Sequence, residues 1–369
     1  MLHRGVYSIL TDLVSGFTTR QRPVVGAVIG AYYLAATART LGVATALARS
    51  TGVQLDSALN RIYRLLRNPH LSDESLARSP IRATARDGRL LVAVDWTEWH
   101  SGMRILAAAT VTGRRAIPIF ARAFSQSVER RSQNTRENNF IRTLAMLAHE
   151  QSVAMTVVCD RGFRRVSLLR LLEQHQLSFV VRLMSDVMVQ HQGRSVALTD
   201  IAMPRGRIMD LGVVELRRED PMRVRVIGYW AHKAKEPWWI ATNVEASPSH
   251  VLSLYDRRMT VEECFRDSKG ARFGARLGWT RHRDAAKLAR SMLLVAFAML
   301  LWTVTGLAAA DHDKSLRLVS ASKGPRQSWL TIGLRYAVLG QGLPLDDLRL
   351  ERLPPPELRR IAGSRRGGK

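Results

Sequence analysis

The sequence predicts an α/β protein, a mixed sheet with helices on both faces, flanked at each end by helical regions. Three observations carry that prediction. Short apolar runs of strand length alternate with helical patterns between residues 89 and 183. Residues 1–82 are almost free of strand signals. The chain has 369 residues, 46% apolar and 24% charged, which suits several packed units and excludes wholesale disorder.

Residues 46–68, ALARSTGVQLDSALNRIYRLLRN, have the rhythm of two helices about a turn at Gly52. The first ends near Arg49 and Ser50, and the second starts around Gln54. Leu55, Leu59, Ile62 and Leu66 form the apolar stripe of the second helix, and Arg61, Arg64 and Arg67 lie off it. A plain αα-hairpin reads the same way, and a DNA-facing helix-turn-helix is the sharper alternative. After the Asp87-Gly88 turn come strands over Arg89–Thr97, Arg104–Thr112 and Arg115–Phe124, the last two joined at Thr112-Gly113. A helix over Arg136–Glu150, a strand over Ala154–Asp160, a helix over Val166–His175 and a strand over Ser178–Leu183 follow. The order β-β-β-α-β-α-β is that of the ribonuclease-H-like core.

Residues 185–235 are read as a β-rich insertion, with turn residues Gly193, Pro204, Gly206 and Pro221 between short alternating runs. Pro237–Asn243 returns as a strand, and Ser247–Gly270 is expected to be one long helix. Ser291–Ala310 carries no charge over 20 residues and is long enough to cross a bilayer. Its place inside a helical pattern that begins at Asp284, with Thr303, Thr305 and Gly306 within it, favours a buried core helix and no membrane role. The tail from Asp311 is helical, with a brake at Pro354–Pro356 and the basic end SRRGGK. The expected units are 1–82, a helical DNA-binding region; 83–184 and 236–310, two parts of the core; 185–235, the insertion; and 311–369, a C-terminal helical region.

The chain has 56 basic and 31 acidic residues, a net charge of +25 and a pI near 11.3. Self-repulsion on that scale favours no fold, so a polyanion is the economical partner, with nucleic acid first. Two cysteines, Cys159 and Cys264, are too few for a disulfide framework and suit a cytosolic protein. The N-terminus lacks the long apolar stretch of a secretion signal.

Asp95 closes the run LLVAV and Asp160 closes TVVC, both at the expected rim of the sheet. Tyr255, Arg258, Glu262 and Lys269 recur at spacings of three, four and seven, which puts them on one helix face. Phosphodiester chemistry with divalent cations needs carboxylates gathered at one place, and Asp95, Asp160 and Glu262 supply them. An Arg258–Glu262 pair at i,i+4 also suits a solvated helix. Glu263 lies around the helix as a neighbour.

The pattern Y-x2-R-x3-E-x6-K resembles the YREK signature of bacterial insertion-sequence transposases of family four. KEPWWIATN followed by LYDRRMTVEECFRDSKGARFGARLG looks most like the tetracycline-resistance-transposon branch, as do VDWTE, CDRGF and NRIYRLLRNPHL. The resemblance runs from about residue 40 to residue 310. It implies a catalytic, metal-holding triad of Asp95, Asp160 and Glu262, with two Mg²⁺ ions (Mn²⁺ as a substitute). It implies that Tyr255, Arg258 and Lys269 hold DNA phosphates, and that Trp238, with Trp239 as the other candidate, stacks on a flipped base. It further implies cut-and-paste transposition through a DNA hairpin, double-stranded terminal inverted repeats and target DNA as partners, and a homodimer in the synaptic complex. The setting would be the bacterial cytoplasm, at the nucleoid. The insertion and tail are shorter than in that branch. A catalytically inactive, transposase-derived DNA-binding protein is the alternative.

Overall fold

The computed structural model describes residues 2–99, 102–113, 115–125, 132–216, 220–270, 275–280, 282–312, 328–339, 348–358 and 361. The N-terminal region folds as α1 (Arg4–Val14), α2 (Arg22–Ala35), α3 (Thr40–Thr51), α4 (Leu55–Arg67) and α5 (Asp73–Thr84). The expected turn is present: Gly52 closes α3 with φ at 71°, and Gln54 precedes α4. The expected stripe needs correction. The buried positions of α4 are Ala58, Ile62, Leu65 and Leu66, while Leu55 is exposed. Leu55 is the first residue of the helix, and Leu59, one turn on, is already packed against the core.

The central sheet has ten strands in the order β3-β2-β1-β4-β5-β10-β9-β8-β6-β7. They are β1 (Arg89–Trp99), β2 (Met103–Thr112), β3 (Arg115–Ser125), β4 (Ala154–Cys159), β5 (Ser178–Leu183), β6 (Met188–His191), β7 (Arg194–Ala197), β8 (Ile208–Leu216), β9 (Met222–Tyr229) and β10 (Trp238–Thr242). β1, β4 and β5 run parallel, and β2 and β3 complete an antiparallel meander on β1. β10 pairs antiparallel with β5 on one side and β9 on the other, so the strands of 185–235 continue the core sheet.

Leu90–Val94 is buried on both faces, which explains its unbroken apolar run. Val92 and Val94 face the layer of α6 (Gln133–Glu150) and α7 (Val166–Gln174). Ala93 faces the opposite layer, which includes α10 (Ala285–His312). α10 is long and apolar enough to cross a membrane, and its apolar window is entirely buried inside the protein. Gly306 has a packing reason: a Cβ there would lie 1.8 Å from the carbonyl oxygen of Trp329 on α11 (Trp329–Leu339). A Cβ on Gly333 of α11 would lie 1.7 Å from the Trp302 carbonyl oxygen, so the two helices cross backbone to backbone.

The proline brake is a docking segment. The Gly113 N–H donates to the Pro354 and Pro355 carbonyls at 3.2 and 3.0 Å, and Glu357 N–H donates to the Gly113 carbonyl at 2.8 Å. The Arg86 guanidinium donates to the carbonyls of Leu350 (2.7 Å) and Leu353 (2.9 Å). The basic end SRRGGK lies outside the described residues.

Candidate active site

Strand register brings the two aspartates together. The parallel ladder of β1 and β4 ends at Val94 opposite Cys159, so Asp95 and Asp160 are the next residues on adjacent strands. They differ in one respect from the sequence reading. β4 does end before Asp160, but β1 continues to Trp99, because Asp95 to Trp99 stay paired with β2. Asp160 caps a short 3-10 turn (Arg161–Phe163), accepting the Gly162 N–H at 2.7 Å. Asp95 accepts the N–H of Trp96 at 2.8 Å.

The expected long helix is broken. It runs as α8 (Pro248–Asp256), a 3-10 turn over Arg257–Met259, and α9 (Thr260–Lys269). Ser247 caps α8, as its position implies, accepting the His250 N–H. The break has two local causes. Arg257 turns inward to a buried position beside Asp256, and the Thr260 hydroxyl donates to the Arg257 carbonyl at 2.6 Å. Arg258, in the turn, faces the sheet. One of its nitrogens lies 3.3 Å from Asp95 Oδ2 and another 2.9 Å from Glu262 Oε1. The i,i+4 pair expected of a solvated helix therefore exists, but it reaches onward to Asp95.

Burial, followed by the negative charge of Asp160, pushes the Asp95 carboxyl up to about 6; Arg258 opposes this and Glu262 adds to it. Burial depresses the Lys269 ammonium. Lys269 donates to Thr97 Oγ1 at 2.6 Å and to the Glu98 carbonyl at 2.5 Å, two to three residues beyond Asp95. It also lies over the Trp99 ring, 5.0 Å from the centroid. Tyr255 is buried, which raises its phenol, and Arg182 hydrogen-bonds to it. Trp238 is half-buried with its ring edge-on to Tyr255, centroids 4.9 Å apart, while Trp239 sits in the core at 1% exposure. Of the two tryptophans, Trp238 is the one open to a ligand.

Arg61, Arg64 and Arg67 are exposed on α4, well apart in sequence from these groups, and none forms an ion pair among the described residues. Spacing did not single out Glu137, Arg165, Arg182 or Glu236. Glu236 pairs with both Arg161 (3.2 Å) and Arg182 (2.6 Å) beside the Asp160 turn. Glu137 was legible: it lies in register with Phe140, Ile141 and Leu144 on the apolar face of its helix, where a solvated acid has no place.

Residues 88–301 match the family model described as the transposase DDE domain. The chain belongs to that family. No curated protein matches it. The mixed sheet described above is accordingly the ribonuclease-H-like architecture of a DNA-acting transposase domain. The family generally uses divalent cations. Among the described residues no three acidic, histidine or cysteine side chains are gathered closely enough to hold a metal ion, and Arg258 bridges Asp95 to Glu262. The donor chemistry of this transposase domain nevertheless fits a hard cation. Asp95 and Asp160 offer carboxylate oxygens, and their mutual repulsion in a poorly solvated place is what bound positive charge offsets.

Proposed function

We propose that this chain is a cut-and-paste transposase of the family-four insertion-sequence type, close to the tetracycline-resistance-transposon branch. The observation that carries the reading is the meeting of Asp95, Arg258 and Glu262, with Asp160 one strand away, at the rim of the sheet. In this reading Asp95, Asp160 and Glu262 hold the divalent cations, Mg²⁺ or Mn²⁺. Those cations supply charge neutralisation at the phosphate and a more acidic attacking water or hydroxyl.

The chemistry is four in-line displacements at one site. Water opens one strand at the element end. The freed 3′-hydroxyl attacks the opposite strand and closes a hairpin. A second water reopens it, and the 3′-hydroxyl then attacks target DNA. Arg258, Lys269 and Tyr255 hold phosphates of the bound strand, with Arg258 giving up its carboxylate partners to do so. Trp238 receives a base flipped out near the hairpin, since stacking returns about 1–3 kcal/mol against an unstacking cost of a few. The helical region 1–82 presents Arg61, Arg64 and Arg67 to the inverted repeat. Residues 311–369 serve pairing of two ends in a homodimer in the cytoplasm, at the nucleoid.

The test is incubation of the full chain with its own element's end DNA and Mg²⁺, scored on a denaturing gel. Nicks appear first and hairpins second. Trp238→Ala preserves the first nick and slows hairpin formation or resolution. Tight end binding without nicking in Mg²⁺ or Mn²⁺ would overturn the catalytic reading in favour of a DNA-binding protein.

A further inference from the structure

The β1–β4 ladder stops one residue short of the two aspartates. Beyond Val94 and Cys159 no backbone pairing between these strands sets how far apart Asp95 and Asp160 stand. Alternation along β1 sends Trp96 to the α6 side, where its ring packs against Phe124 with centroids 5.7 Å apart. The Trp96 indole N–H donates to Glu137 Oε1 at 2.9 Å. Gln133 donates to the same oxygen, also at 2.9 Å. The other oxygen, Oε2, accepts from Arg165 at 2.6 Å. Arg165 follows the turn that Asp160 begins and stands at the N-terminal boundary of α7, and it also donates to Asn138 at 3.3 Å.

Glu137 is 1% exposed, and its Arg165 partner has a side chain 20% exposed. Replacing a buried ion pair by apolar groups is often neutral or stabilising, so stability alone does not account for this one. Its placement does. Glu137 joins Trp96, the residue after Asp95, to Arg165, where the chain leaves the Asp160 turn and enters α7.

We propose that Glu137 is a positioning residue, a buried clamp that fixes the separation of Asp95 and Asp160 and so the cation affinity of the pair. The proposal rests on reading those two aspartates as cation ligands. It is tested on the full chain by titrating Mn²⁺ and reading free ion by electron paramagnetic resonance, with thermal unfolding measured in parallel. Glu137→Gln keeps the size and the acceptor for Trp96 but leaves Arg165 without its charge partner. It lowers the unfolding temperature and weakens Mn²⁺ binding roughly tenfold, the low end of what outer-shell partners of metal ligands contribute. The double variant Glu137→Gln with Arg165→Met removes both charges. It recovers the unfolding temperature while Mn²⁺ binding stays weak. Affinity that recovers with stability, or that never falls in either variant, overturns the clamp. Asp95→Asn is the control for the premise: if it binds Mn²⁺ as the unaltered chain does, the cation site itself is wrong, and the clamp falls with it.

Discussion

The two halves of the candidate site are built by different means. Asp95 and Asp160 follow directly on the last paired residues of neighbouring parallel strands, and Asp95 remains paired with β2. Glu262 comes from α9, a helix that begins after a 3-10 turn, and its side chain is 47% exposed. Arg258 is its tie to the strands. The difference shows in how closely each acid is confined. The strand half gathers two half-buried carboxylates, and the helix half offers a more exposed one that Arg258 ties to them.

The largest expected effects test the strand half. Asp95→Asn and Asp160→Asn should each reduce end nicking by at least about a thousandfold. Asp95→Glu should be as damaging as Asp95→Asn, because the paired strand cannot retreat to admit a methylene. Glu262→Asp should keep roughly tenfold more nicking than Asp95→Glu, because the more exposed Glu262 side chain is less confined by its neighbours; misplacement by about 1 Å costs on the order of a hundredfold. Equal loss in the two charge-conserving variants breaks the contrast.

A smaller effect tests the charge. The folded-state Asp95 carboxyl sits at about 6 against an ordinary 3.8. Well below pH 3.8 it is protonated in both folded and unfolded chains. As the pH rises through 4 to 6 the unfolded chain ionises first, and stability falls. Without divalent cation, Asp95→Asn should therefore be more stable than the unaltered chain at pH 7.5, by about 1–3 kcal/mol, and equal to it near pH 3.5. Glu262→Gln should stay within about 0.5 kcal/mol at pH 7.5. Thermal unfolding at the two pH values decides it, and a matching gain from Glu262→Gln would remove the asymmetry.

The smallest effect lies outside both halves. Arg64→Ala should reduce the slope of log affinity for end DNA against log salt by about one, the signature of a single lost phosphate contact. Unfolding temperature and the nicking rate of bound DNA should not change. An unchanged slope would remove α4 from the DNA-binding surface.

Much of this protein is written in local pattern. Strands and helices of the core, the Gly52 turn and the buried character of Ser291–Ala310 follow from periodicity and turn chemistry, which act within a few residues. So does the choice of Asp95, Asp160, Arg258 and Glu262, because strand runs and helix spacing mark them directly. Other features depend on partners far away in the chain. β1 runs past Asp95 because β2 pairs with it. Leu55 is exposed at the start of α4, together with Asp56 and Ser57. Gly306 is required by Trp329, and the clamp of Glu137 on Trp96 and Arg165 joins three elements that no spacing relates. The sequence by itself determined the elements and the acids they carry. The tertiary structure decided how those acids are tied to one another, because each tie spans elements whose meeting is set by packing.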